Sequence, residues 1–589
     1  MRRDHGAWEV NAEIRFHLEM RTAKLMAEGW KREAAELEAQ RRFGEVEGIK
    51  RECRNIRRRG DMRERTREMI ESVLQNIRYG LRTLARSPGF TVIAVLILGL
   101  GIGANSTMFT LVNGLFLETP PLIDGPEELV GLTMIDDGDA TSDFAYPDFE
   151  FYRDNNDVFS GVMAYDHSVS TVAVGGRDEV VQAEAWAVSG NFFDVLVVPM
   201  AHGRSFLPEQ DEVPGEHPVV VISNGFWRRY YGADPSAVNS TLLLNGHPCT
   251  VVGVTSRGFR GVSAVDPAPD LYLPIMMLGT VSPTDVGWFE HRNRGLNTWL
   301  RIVARLRPGV NRSAAQAHMD VLQSRWESHY ASWIGATFED EEPYHVGLYQ
   351  RFHLTPRDSD RLSQLLVPLF LAVGSVLLIA CANIAILLLA RASARQREMG
   401  IRTALGAGRV RVMGQLMTES VLLASIGGAL GIAIAYWGAG LAAGMIPMSF
   451  AAEFDPDGTT IGFTVLLSAG AALLFGMAPA WQLSRTDISA FLHRQGQGRN
   501  RNVLQNGLVV AQVALSIVLV TGAGLFVRSL QNAQSVDLGF NPARKLLMSV
   551  VLDNHGYSEA EGHEFVRVML ERLKQVPGVS SASTTMRTP

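Results

Sequence analysis

Two long stretches without a charged residue, Leu362 to Ala390 and Ser420 to Ala452, flank a short arginine-rich connector, and this pairing constrains the fold more than any other feature. About 20 apolar residues in a helix cross the hydrocarbon of a bilayer, so each stretch is long enough to span it. A basic connector between two spans marks the cytoplasmic side, which makes the pair a transmembrane hairpin with its loop inside. Ser87 to Leu117, Thr459 to Ser484 and Asn502 to Val527 are also uncharged. The expected architecture is a membrane α-helical protein of about five transmembrane helices, over 89–117, 362–390, 420–444, 459–484 and 503–527. The run from Ser420 exceeds what a membrane needs, so its helix is expected to end near Gly444, with Pro447 outside. Without an ionisable group in any run, an ion-coupled secondary transporter is disfavoured.

Charge is distributed unevenly around these spans. The first 86 residues hold 21 Lys or Arg against 15 Asp or Glu, whereas Glu118 to Asp360 holds 34 acids against 16 bases. Such a swing across one apolar span places the two segments on opposite sides of a membrane, with the N-terminus cytoplasmic, and gives no support to nucleic-acid binding. Residues 118–361 carry short β-rich runs, PVVVIS (Pro218 to Ser223) and CTVVGV (Cys249 to Val254), interleaved with helical patterns such as Ala314 to Trp326. They predict a large extracytoplasmic mixed α/β domain of one or two lobes. Trp186, Phe206, Trp227 and Tyr230 are expected in its core. Cys53, Cys249 and Cys381 fall in three compartments, so no intrachain disulfide is expected.

Ahead of the first span, residues 1–69 form a helical segment, with two helices between Trp8 and Phe43 broken at Gly29 and stopped at Gly44. Residues 70–88 follow, with Ile70, Val73, Leu74, Ile77, Leu81 and Leu84 on one helical face and Arg78, Arg82 and Arg86 elsewhere. That pattern fits a helix in the cytoplasmic headgroup layer, and also a soluble helix packed on the N-terminal hairpin. Gly99, Gly101 and Gly103 imitate the start of a dinucleotide fingerprint, but inside a span there is no strand to precede it, and close helix packing explains them better. Gly427 to Gly431 and Gly440 to Gly444 are two further spacings of that kind. No HExxH, GxSxG or metal-like histidine spacing occurs, so neither catalytic residues, metal ligands nor a cofactor are expected and the chain is not read as an enzyme. It also lacks GxxxxGK[ST], the usual ATP cradle.

The connector, 391–419, is the candidate functional segment. As one continuous helix it would bring Arg391, Arg395, Arg402 and Arg409 within about 40 degrees of one another. Met399, Leu405, Val412 and Leu416 would take the other side, and Glu398 would sit among the arginines. Gly400, Gly406 and Gly408 argue for an interruption, since each costs about 1 kcal/mol against alanine in a helix. By periodicity alone an ordinary positive-inside loop fits as well.

The string RQREMGIRTALGAGRVRVMGQLMTESVLL closely resembles the most recognisable segment of FtsX-like permeases, the membrane subunits of ABC transporters, and the MacB type is the nearest. Arg397, Glu398, Gly400, Arg402, Ala404, Leu405, Gly406 and Arg409 match the pattern, with Met399 in place of isoleucine. The resemblance implies that this element touches a separate ATPase subunit, at Arg397, Glu398, Gly400, Arg402, Leu405, Gly406 and Arg409. VSGNFFDVL, VVVISNGFWRRYYGADPS and LLLNGHPCTVVGV resemble the MacB-type extracytoplasmic core domain, although Asn239 and Ser240 stand where a glycine turn is expected. The N-terminal string EIRFHLEMRTAKLMAEGWKREAAELEAQRRFG resembles the prefix domain of acidobacterial-type duplicated permeases. Residues 528–589 then look like the start of a second extracytoplasmic domain, incomplete here, so that the chain holds one four-span unit and the first span of another.

The implied function is a multi-pass permease subunit of the bacterial inner membrane that relays ATPase motion outward, for efflux or for lipoprotein or peptide handling. Membrane lipid, the ATPase and a second copy in a homodimer are the expected partners. A membrane-anchored extracytoplasmic binding or sensing protein, and a non-functional gene fragment, are the competing readings.

Overall fold

The computed structural model describes residues 5–44, 71, 74–136, 139–166, 170–175, 180–281, 298–334, 345–394, 409–445, 456–484, 503–535, 545–546, 548 and 559–584. Four helices come first: α1 (His5–Ala27), α2 (Arg32–Phe43), α3 (74–85) and α4 (Pro88–Val112), the last continuing as a π-helical turn over Asn113–Leu117. The sheet domain follows as β1 (Leu129–Asp136), β2 (Asp139–Thr141), α5 (Tyr146–Asn155), β3 (Phe159–Asp166), β4 (Ser170–Gly175), β5 (Val181–Val188), α6 (Phe192–Leu196) and β6 (Met200–Gly203). It continues through β7 (Val219–Ile222), α7 (Asn224–Tyr231), β8 (Thr241–Leu244), β9 (His247–Thr255), β10 (Leu271–Pro274), α8 (Leu278–Val281), β11 (Leu300–Leu306), α9 (Arg312–Ile334) and β12 (His345–Tyr349). The remainder is helical: α10 (Pro356–Ala394), α11 (Arg409–Met445), α12 (Gly458–Ser484), α13 (Val503–Gln534) and α14 (Glu559–Lys574). Among the described residues, five helices, within α4 and its π turn and within α10 to α13, are long and apolar enough to cross a membrane.

Two units share the chain. The first comprises residues 1–95, 384–426 and 469–501. Its α1 and α2 fold back on each other about Gly29, whose φ of 93° is open to glycine at no steric cost, and bury Leu25, Ala35 and Ala39 between them. Gly44, at φ 85°, ends α2 with its N–H on the Gln40 carbonyl. Helix α3 buries Gly80, Thr83 and Leu84. A Cβ on Gly80 would meet Leu422 of α11 at 2.7 Å, so α3 lies directly on that helix. Thr91 Oγ1 donates to the Leu84 carbonyl at 2.9 Å and ties the start of α4 to the end of α3.

The second unit comprises residues 96–383, 427–468 and 502–589, and holds a twelve-stranded mixed sheet among the described residues. The strand order is β10-β7-β9-β8-β4-β5-β3-β11-β1-β12, with β2 beside β1 and β6 beside β9. A parallel pairing of β10 with β5 closes the first six strands into a ring. Each of them alternates, sending Val172 and Val174, Ala183 and Ala185, Val220 and Ile222, Leu242 and Leu244, Cys249 and Val251, and Leu271 and Leu273 into one buried cluster. Strands β3, β11, β1 and β12 form an open arm covered by α5 and α9. Ala315, Met319, Leu322 and Trp326, on one face of α9, pack there with Phe149 and Tyr152. Trp186, Phe206 and Trp227 are buried as expected, while Tyr230 is half-buried. Asn239 takes a φ of 68°, meeting with asparagine the left-handed turn for which a glycine was expected.

The membrane helices of this unit meet along glycines. Cβ atoms on Gly99 and Gly103 of α4 would lie 2.6 and 2.7 Å from Leu430 and Ile434 of α11, and on Gly427 and Gly431 of α11 at 2.7 and 2.9 Å from Leu98 and Ile102 of α4. Gly101 faces α10 instead, 3.0 Å from Leu377, and Gly440 has nothing within 4 Å, so it takes no part in the seam. Hydroxyls bridge α4 to α12: Ser106 and Thr464 lie 2.8 Å apart, and Thr110 donates to Thr460 at 3.5 Å.

Candidate functional site

The predicted ATPase-contact residues Arg397, Glu398, Gly400, Arg402, Leu405 and Gly406 lie outside the described residues, and Arg409 is the first residue of α11. Arg391, the first arginine of the predicted ridge, is engaged within the chain. Its guanidinium stacks over the Phe90 ring, 4.3 Å from the centroid, and donates to Ser87 Oγ, so it fastens α10 to the beginning of α4. Glu419 is also not where the sequence put it. The uncharged run begins at Ser420, but α11 begins at Arg409 and carries Glu419 buried, at 5% exposure, against α3. The spans are thus charge-free as sequence runs and not as helices.

A second constellation, which the sequence reading missed, lies where the sheet meets the membrane helices. Strand β11 reads LRIVARL and is buried nearly throughout, yet it carries Arg301 and Arg305. Arg305 donates from Nη2 to the Asp124 carbonyl (2.6 Å) and from Nε to the Val195 carbonyl (2.8 Å), and pairs with Glu128 at 2.8 Å. It therefore holds the segment that leaves α4. Arg301 pairs with Asp266 at 2.8 Å and with Asp358 at 3.5 Å, and stands 4.0 Å from Asp143. Burial works against its charge, but the Asp266 and Asp358 carboxylates outweigh that and hold the guanidinium firmly protonated. Asp358 lies in the first turn of α10, where its N–H donates to Thr355 Oγ1 at 3.1 Å as an N-terminal cap. One strand thus grips the chain on both sides of the sheet domain. The signal available in the sequence was an arginine flanked by apolar residues in a strand-like run.

Between these grips the loop after β9 reaches the membrane helices. Ala264 and Val265 share a buried cluster with Met108, Leu111 and Leu115 at the end of α4, Leu354, Leu366 of α10 and Ala439 of α11. The Ala264 N–H donates to the His353 carbonyl at 2.9 Å. His353 itself is 3% exposed, and neither ring nitrogen has a hydrogen-bond partner among the described residues. Burial, with the Arg351 charge beside it, lowers its pKa to about 4. Among the described residues no group of three or more His, Cys, Asp or Glu is placed to hold a metal ion.

A sheet domain clamped to membrane-spanning helices defines a membrane permease with an extracytoplasmic domain, and similarity to known proteins agrees. Residues 91–322 match the MacB-like periplasmic core domain and residues 370–488 the FtsX-like permease C-terminal domain. The chain belongs to the FtsX/MacB-type ABC transporter permeases, and is a multi-pass inner-membrane protein. It is 26% identical over 307 residues to the macrolide export ATP-binding/permease protein MacB of Chromobacterium violaceum, covering 52% of this chain and 42% of that one. To MacB of Escherichia coli K12 it is 25% identical over 327 residues, 54% of this chain and 44% of the relative. The chain therefore spans less than half the length of these relatives. The periplasmic region of MacB from Actinobacillus actinomycetemcomitans aligns with 42% of this chain and 95% of its own, at 14% identity and a TM-score of 0.28.

Proposed function

We propose that the chain is a permease subunit that receives the motion of a separate ATPase at its 391–419 segment and passes it to the extracytoplasmic domain, in efflux or in lipoprotein or peptide handling. The observation that carries this reading is the clamp on β11. Arg301 joins the sheet to Asp358 in the first turn of α10 and to Asp266 beside the loop packed with α4, α10 and α11. A domain that only bound or sensed a ligand would be served by a slack tether. Helix α11 opens at Arg409, the last of the predicted contact residues, so a push on the segment would act on the end of a 37-residue helix.

The test is capture of an ATPase by the full chain in detergent. Glu398→Arg, or Arg402→Glu with Arg409→Glu, is expected to weaken capture while membrane insertion is unchanged, because removing a charge buried in such a contact costs about 2 to 5 kcal/mol. Capture equal to wild type would remove the coupling role from this segment. Failure of the wild-type chain to capture any ATPase would favour the anchored binding or sensing protein.

A further inference from the structure

We propose that the outer face of α3 is a binding site for the phosphate headgroups of anionic lipids, built from Arg78, Arg82 and Arg86 around an apolar seat of Leu74 and Leu81. At about 100 degrees per residue, Asn76, Ile77, Gly80, Thr83 and Leu84 occupy one side of this helix. Gly80, Thr83 and Leu84 are buried and Asn76 and Ile77 half-buried, and Gly80 is pressed onto Leu422, so that side is filled by protein. The opposite side exposes Leu74 (59%) and Leu81 (49%), with Arg78, Arg82 and Ala85 between and beside them and Arg86 in the turn that follows. The division differs from the one the sequence pattern implies. Ile77 and Leu84 serve the protein interior, and Leu74 and Leu81 are left for something else.

Three observations favour lipid as the occupant. The first is charge: none of the three arginines has an ion-pair partner among the described residues, and the acid on that side is Glu71, at the far end from Arg86. The second is depth. Helix α4 starts at Pro88 and already exposes Val92 (55%) and Ile93 (54%), side chains that belong in hydrocarbon, so Arg86, just before the helix, stands at the level of the headgroup layer. The third is rigidity: the Thr91 hydrogen bond to Leu84 and the contact of Gly80 with α11 fix the orientation of α3, so its guanidinium groups are presented at that depth without further ordering. Guanidinium matches phosphate with two parallel N–H donors, and leucines seated at the acyl boundary complete an interfacial site.

The test uses the purified full chain in mild detergent, titrated with fluorescent phosphatidylglycerol and, separately, with phosphatidylcholine. Each arginine near a charged surface is worth roughly fivefold in affinity, so Arg82→Gln is expected to weaken phosphatidylglycerol binding about fivefold and the triple Arg78→Gln, Arg82→Gln, Arg86→Gln variant about a hundredfold. Phosphatidylcholine should bind more weakly and change little in these variants, while Leu81→Ala should weaken both lipids alike. Millimolar inorganic phosphate is expected to compete poorly, because it lacks the acyl chains that the leucines seat. The three arginines are exposed, so an unchanged thermal melt will show that the variants fold. Wild-type affinity for phosphatidylglycerol in the triple variant would overturn the proposal. So would a triple variant that loses ATPase capture but keeps its lipid affinity, since the face would then belong to a protein partner.

Discussion

His353 stands at the junction of sheet and membrane helix as a neutral imidazole with no hydrogen-bond partner among the described residues on either ring nitrogen. Burial, helped by the charge of Arg351, lowers its pKa from 6.5 to about 4. An unfolded chain takes up the proton below pH 6.5, whereas the folded chain resists it until about pH 4. Stability contributed by the neutral ring is therefore present above pH 6.5 and is lost as pH falls toward 4, by on the order of 3 kcal/mol in all. Melting of the sheet domain is expected to drop more steeply between pH 7 and pH 4.5 in the wild type than in His353→Phe. Parallel pH profiles would show that the ring is not the acid-sensitive group. Arg301, close by in the fold, obeys the opposite rule: its charge stays, because three carboxylates within 4.0 Å, those of Asp143, Asp266 and Asp358, offset the cost of burying it.

Between helices in lipid there is no hydrophobic drive, so association depends on how closely backbones approach and on polar contacts across the seam. Helix α4 meets both conditions in different directions: glycines against α11, hydroxyls against α12. Gly103 has Ile434 and the Gly431 carbonyl within 3.2 Å of where a Cβ would stand, so Gly103→Leu must part the helices. Overpacking of this kind costs about 1 to 3 kcal/mol, which is several degrees of melting temperature. Thiol release on heating is a convenient reporter, since Cys249 and Cys381 are both free and buried. Gly103→Leu is expected to release them at lower temperature, and Gly440→Ala, with open space around it, to release them no earlier than wild type. Equal shifts for the two variants would mean that the seam contributes nothing.

For the whole molecule, what the sequence made legible is what local pattern can carry. Five uncharged runs became five helices, and Gly99, Gly103, Gly427 and Gly431 met as close packing required. Helix ends were less legible. The helix α10 starts at Pro356 rather than Leu362 because Thr355 and Asp358 cap it above the apolar run. Least legible were pairings that join distant residues: the parallel β5 and β10 contact that closes the strand ring, and the meeting of Asp143, Asp266 and Asp358 on one arginine. No period in a sequence records either. Sidedness rests on charge alone, 34 acids against 16 bases after α4 and the reverse tendency before it, and it is open to direct measurement. Ser236 and Ala34 are both exposed, one in the sheet domain and one on α2. In a Cys53→Ser background, Ser236→Cys is expected to react with an impermeant maleimide in intact cells and Ala34→Cys only after permeabilisation. Cys249 need not be removed, because it is fully buried and burial raises its thiol pKa to about 11, leaving almost no thiolate to react. Labelling of Ala34→Cys in intact cells would invert the topology. It would also put the 391–419 segment on the side of the membrane where no ATP-hydrolysing partner could reach it.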